Sequence, residues 1–119
     1  MLESGIVNGH PWSIGCADPD PQNCGEDAAL MSDLPEDVQR QVSDWIFASI
    51  RKREFPNYEH DSYQLKHQIE RELGIYLTNN QMKDAMLNEG FRPVKENELN
   101  WHFCISQFSP AFRTKTIRL

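Results

Sequence analysis

The sequence predicts a small α+β domain in which three helices precede a C-terminal β-hairpin, all behind an irregular acidic N-terminal segment. Three observations predict it. Apolar residues recur at helical spacing in three stretches, the period switches to two near the C-terminal end, and the first third of the chain is dense in Pro, Gly, Asp and Asn without a sustained period. A chain of 119 residues, 39% hydrophobic and 25% charged, has room for a single modest core.

The N-terminal segment comes first. From Gly9 to Ser32 the run GHPWSIGCADPDPQNCGEDAALMS reads as loop or disorder, with a short helical turn over Ala28 to Met31. Residues 1–39 hold eight acids (Glu3, Asp18, Asp20, Glu26, Asp27, Asp33, Glu36, Asp37) and no Lys or Arg. Residues 40–61 balance four bases against four acids, and residues 62–119 hold eight bases against six acids. The formal net charge of -6 therefore belongs to the first third. An acidic solubilising tail and an acidic partner-binding surface both fit, the latter carried by Asp18, Asp20, Glu26 and Asp27.

The first helix is expected over Leu34 to Arg53. Leu34, Val38, Val42, Ile46 and Ile50 repeat every four residues, with Trp45 and Phe47 beside the stripe, as one buried face requires. Asp33 with Glu36 suits the start, Pro35 fits the first turn, and Arg51-Lys52-Arg53 suits the negative C-terminal end. Phe55-Pro56-Asn57 ends it. A second helix runs from Ser62 to Leu73, capped by Asp61 or Ser62, with Leu65, Ile69 and Leu73 on one face and Gly74 as its stop. A third begins after Thr78, which forms a T-x-x-Q capping box with Gln81, and runs through Met82, Ala85 and Met86 to Gly90.

Beyond Gly90, Phe91 to Val94 is extended and KENELN is polar. Trp101, Phe103 and Ile105 then alternate with His102, Cys104 and Ser106, which predicts a hairpin. The expected organisation is an acidic segment 1–32, a domain 33–106 and a basic tail 107–119. Helices two and three, joined through Gly74, have helix-turn-helix spacing, and the order helix, helix, helix, strand, strand is that of a winged helix.

The runs Ser62-Tyr63-x-Leu65-Lys66-His67, Gly74-Ile75-Tyr76-Leu77-Thr78-Asn79-Asn80-Gln81-Met82-Lys83-x-Ala85-Met86, Gly90-Phe91-x-Pro93 and Asn100-Trp101 carry a resemblance. Residues 62–106 resemble a module of small uncharacterised proteins from Gram-positive bacteria and their phages or mobile elements. The resemblance implies provenance and, at the level of class, an anti-CRISPR-like role.

As a recognition helix, the third helix would present Asn79, Asn80, Lys83 and Asp84, with Asn88 one turn on. Asn pairs with adenine, and Lys with guanine or phosphate. Lys95 in the wing and Arg113, Lys115 and Arg118 in the tail would add backbone contacts. Against this, Asn after Thr78 is a good helix-start residue and Asp84 repels phosphate.

His10, Cys16 and Cys24, with Asp18 and Asp20 between the thiols, form only a weak zinc pattern, since structural sites use closer cysteine pairs. No metal or other cofactor is expected. Three cysteines without a CxxC make no disulfide framework, and Cys104 reads as a packing residue. His60, His67 and His102 lie outside any hydrolase, metalloprotease or P-loop motif, so no catalytic residue and no enzyme is expected. The aromatic residues Trp45, Tyr63, Tyr76, Phe91, Trp101 and Phe103 are expected in the core. Phe47 is the exception and marks a partner surface or homodimer contact.

No apolar run approaches the roughly 18 residues of a membrane span. The first residues, MLESGIVNGHPWSIG, lack a secretory signal, so a host-cytoplasmic location is expected. The leading functional expectation is a non-catalytic binding protein that inhibits a host nucleic-acid-handling or defence protein, a CRISPR effector included, through acidic mimicry of nucleic acid. The alternative is a winged-helix DNA-binding transcriptional regulator, and a third possibility is a subunit of a larger assembly.

Overall fold

The computed structural model describes residues 29–96 and 98–113, together with the backbone of residues 6–7 and 10–11. Strands β1 (Ile6–Val7) and β2 (His10–Pro11) form a short antiparallel pair. Helix α1 spans Glu36–Ser49. Its four-residue stripe buries Val42 and Ile46, with Trp45 beside them and Ile50 just past the end. The helix is shorter than expected at both ends. Asp33 does not cap it; its carboxylate accepts from the Leu30 N–H at 2.8 Å, inside a 3-10 turn at Met31–Asp33.

The C-terminal end of α1 is set by the sheet. The Arg51 N–H donates to Ser109 Oγ at 2.8 Å and its carbonyl accepts from the Ser106 N–H at 2.7 Å. These bonds draw the chain out of the helix. Strand β3 follows at once over Lys52–Asp61, where the sequence led us to expect helix end and linker.

Strand β3 pairs antiparallel with β4 (His102–Ile105), with Lys52 opposite Ile105, Asn57 opposite Phe103 and Asp61 opposite His102. Ten residues oppose four, so the ladder is bulged on both sides of Asn57. Buried Asn57 fills the gap: its Nδ2 donates to the Ile105 carbonyl at 3.1 Å, and its Oδ1 accepts from the N–H groups of Glu59 and His60. Arg53 likewise donates to the carbonyls of Phe55 and Pro56. Charge, proline and occupied polar groups of this kind shield an edge strand from pairing with another chain.

The expected C-terminal hairpin is thus corrected. Residues 91–94 contribute a single bridge, Pro93 to Phe103, with the Val94 N–H donating to the His102 carbonyl at 2.8 Å. The principal partner of β4 is β3. The alternation along β4 holds, with Phe103 and Ile105 turned into the core.

Helix α2 (Ser62–Leu73) begins with an Asp61–Gln64 capping box and ends at Gly74, whose φ of 71° places it in the left-handed region. Helix α3 (Asn79–Asn88) begins with the expected Thr78–Gln81 box. Gly90, at φ 92°, turns the chain from α3 back toward the sheet, a conformation L side chains rarely adopt.

The result is a small α+β domain of three helices against a two-stranded antiparallel sheet. Packing extends past both expected boundaries: Met31 is buried on one side, and Ser109 and Ala111 on the other, around a second 3-10 turn at Pro110–Phe112. Among the described residues no helix is long and apolar enough to cross a membrane.

Candidate functional site

Of the polar residues expected to read DNA from α3, all but Asn88 are engaged within the domain. Ser62 ties the start of α2 to β4: its N–H donates to the Trp101 carbonyl at 2.8 Å, and its Oγ accepts from the Trp101 N–H at 3.0 Å. The same hydroxyl donates to Asn79 Oδ1 at 2.7 Å. The Asn79 amide then reaches the Leu99 carbonyl and Asn100 Oδ1. Ser62, Asn79, Asn100 and Trp101 therefore form one network that holds the loop before β4 against the helix-turn-helix corner. Four residues of the sequence motif have a common structural task.

Asn80 and Lys83 are buried. Asn80 donates to the Ala29 carbonyl and Gln81 Nε2 to the Leu30 carbonyl at 3.2 Å. Buried Asp84 accepts from the Met31 N–H at 2.8 Å. Lys83 Nζ donates to the Glu98 carbonyl at 3.4 Å and lies 5.0 Å from the centre of the Trp101 ring. Helix α3 is thus enclosed between residues 29–31 and the segment that holds Glu98 and Trp101. Asn88 is exposed at its far end. Lys95 and Arg113 are also exposed.

Asp18, Asp20, Glu26, Asp27, Cys16, Cys24, Lys115 and Arg118 lie outside the described residues, and of His10 only the backbone is described. Among the described residues no cluster of His, Cys, Asp and Glu is arranged to hold a metal ion. Tyr63 and Tyr76, expected in the core, are exposed. They flank Lys66, whose ammonium is 5.6 Å and 5.0 Å from their ring centres and 2.8 Å from Glu70.

His60 and Glu70 have shifted acidity. Burial lowers the His60 pKa below its ordinary 6.5, against the opposing charges of Glu59 and Asp61; the ring stacks on Phe112 at 3.6 Å. Burial pushes Glu70 up, but hydrogen bonds from Lys66 and the Leu77 N–H, with the charges of Lys66 and His67, bring it below its ordinary 4.5. His102 Nδ1 is buried without a hydrogen bond, 3.6 Å from Glu98.

Surface hollows open instead where α1 meets β3. A hollow of about 660 Å³ is lined by Ile46, Phe47, Ala48, Ile50, Arg51, Lys52, Glu89 and Phe91. It shares Glu89 with a hollow of about 270 Å³ reaching Met31 and Arg40, and shares Lys52 and Phe91 with one of about 160 Å³ reaching Arg53, Arg92 and Cys104. The three adjoin through these shared residues and are taken together as one groove. Phe47 stands at it 80% exposed, while Ile50 and Phe91 are buried.

Cations dominate this groove. Arg51 donates to the carbonyls of Phe47 and Ala48 at the end of α1, the helix-end role expected of it. Lys52 lies 5.2 Å from the Phe91 ring centre and Arg53 4.4 Å from that of Phe55. Among the described residues none of Arg51, Lys52, Arg53 and Arg92 has a carboxylate within ion-pair distance. Among the described residues Glu89 is the one carboxylate lining the groove, and it accepts from Ser43 Oγ. Sequence reading flagged Phe47 but missed the surface, because Arg51-Lys52-Arg53 reads as a helix end; a charged run followed by F-P-N was the available sign of an edge strand.

Comparison with known proteins finds no match: no family model, no curated protein and no solved structure matches the chain.

Proposed function

We propose that this protein is a non-catalytic, winged-helix-like module that works by binding another protein, and that its target is a host nucleic-acid-handling or defence protein. Support for the winged-helix reading comes from the order α1, β3, α2, α3, bridge, β4, with β4 between β3 and the Pro93 bridge. Phage or mobile-element provenance, and with it an anti-CRISPR-like role, rests on the motif resemblance alone. The acidic residues Asp18, Asp20, Glu26 and Asp27 would supply electrostatic complementarity to a cationic partner groove.

One observation carries the choice of protein over DNA. The side chains a recognition helix would offer, Asn80 and Lys83 above all, are committed inside the domain. Direct readout needs such groups free to reach base edges. The competing reading, a DNA-binding regulator using Asn79, Asn80 and Lys83, requires residues 29–31 and 98–101 to leave α3.

The test is affinity capture from bacterial lysate with the full chain, with and without nuclease, beside titration of labelled random-sequence duplex. The proposal expects a protein partner that survives nuclease and weak duplex binding even at low salt. Tight duplex binding that collapses between roughly 50 and 200 mM salt, the signature of phosphate contacts, contradicts it.

A further inference from the structure

We infer that the groove between α1 and the Glu89–Arg92 turn takes an acidic, amphipathic protein segment. One or two bulky apolar side chains of the partner seat against Phe47, Ile50 and Phe91, and its carboxylates face Arg51, Lys52, Arg53 and Arg92. This rests on the protein-binding reading above and adds the place and the chemistry of the contact.

Size, shape and charge each narrow the occupant. A volume of about 660 Å³ lies within the usual range of ligand-binding hollows, roughly 300 to 1,000 Å³, and the adjoining hollows of about 270 and 160 Å³ add room beside it for a peptide segment. The floor is apolar, and Phe47 adds a large uncovered ring at its lip. Burying such a ring under a partner is the usual source of a dominant contact. Among the described residues Arg51, Lys52, Arg53 and Arg92 have no carboxylate within ion-pair distance, whereas Glu89, with Arg40 nearby, lines the part toward α3. An occupant with carboxylates toward Arg92 and none beside Glu89 satisfies both ends, since unlike charges attract and like charges desolvated together repel.

Nucleic acid fits less well. A single strand binds by stacking successive bases on open ring faces. Here Phe91 is buried with Lys52 over it, and Arg53 lies over one face of Phe55, which is otherwise exposed. Among the described residues Phe47 is the one open ring lining the groove.

The experiment selects binders to the intact full chain from a displayed random peptide library, then measures individual synthetic peptides by fluorescence anisotropy against wild type, Phe47→Ser and Arg92→Glu. Both substituted side chains are exposed, and circular dichroism verifies that each variant is folded. The expected result is enrichment of Asp and Glu beside one or two large apolar residues. Affinity should fall about tenfold or more for Phe47→Ser, as at a dominant contact, and weaken for Arg92→Glu and with added salt. No enrichment, basic binders, or binders indifferent to both substitutions would overturn the groove assignment while leaving protein binding elsewhere intact. A labelled single-stranded oligonucleotide that binds wild type tightly and is lost in Arg92→Glu would overturn both.

Discussion

Lys83 and Lys52 each hold an ammonium about one ring away from an aromatic side chain, 5.0 Å from Trp101 and 5.2 Å from Phe91, yet their surroundings are opposite. Lys83 is fully buried beneath the loop before β4 and donates to the Glu98 carbonyl. Lys52 lies exposed on β3 beside three other cations. The same pairing is thus structural in one place and available in the other. What separates them is a second stretch of chain: residues 98–101 close over α3, whereas nothing among the described residues closes over the α1–β3 groove. Polarity of a helix face does not by itself mark a binding surface when its amides and cations find partners within the chain.

The comparison breaks most readily at Trp101. Truncating this fully buried ring to alanine should cost about 3 to 5 kcal/mol, the usual price of a large core cavity, and chemical denaturation would measure it. An effect under about 1 kcal/mol, typical of surface sites, would mean that the loop does not pack on α3. Next comes the lysine pair itself. Lys83→Ala should destabilise clearly more than Lys52→Ala, which should stay near the roughly 0.5 kcal/mol of ordinary surface changes; equal effects in thermal melts would erase the distinction.

Acid gives a smaller effect of definite sign. The lowered His60 and Glu70 pKa values mean that the unfolded chain binds protons more readily. Stability therefore declines as pH drops below about 6.5 toward the folded value of His60, and declines further below about 4.5 as Glu70 is protonated. His60→Phe, which keeps a ring against Phe112, should flatten the first part of that decline in melts across pH. The smallest change in stability belongs to Phe47→Ser, within about 0.5 kcal/mol, although it should remove most of the affinity of the groove.

Much of the fold was legible because local rules and tertiary structure agree. The stripe Val42–Ile46–Ile50, the Thr78–Gln81 box, the stop at Gly74 and the alternation along β4 all appear as their spacing requires. Strand β3 was hidden because it is an edge strand, charged and interrupted by Pro56, with only Asn57 fully inside; its ladder relies on a side-chain amide rather than on an apolar period. The burial of Asn80, Lys83 and Asp84 was equally hidden, since their partners Ala29, Glu98 and Met31 lie 15 to 53 residues away. Of the groove, the sequence disclosed Phe47 through its place off the helical stripe. The cations joined it only once the β3 turn had formed.

The central claim, that the polar face of α3 is closed and the α1–β3 face open, is tested most directly by brief lysine acetylation of the native full chain, followed by peptide mass spectrometry. Lys52 and Lys95 should be modified rapidly and Lys83 protected until the protein is unfolded. Modification of Lys83 in the native chain as fast as Lys95 would contradict the account and return α3 to the surface as a candidate reading helix.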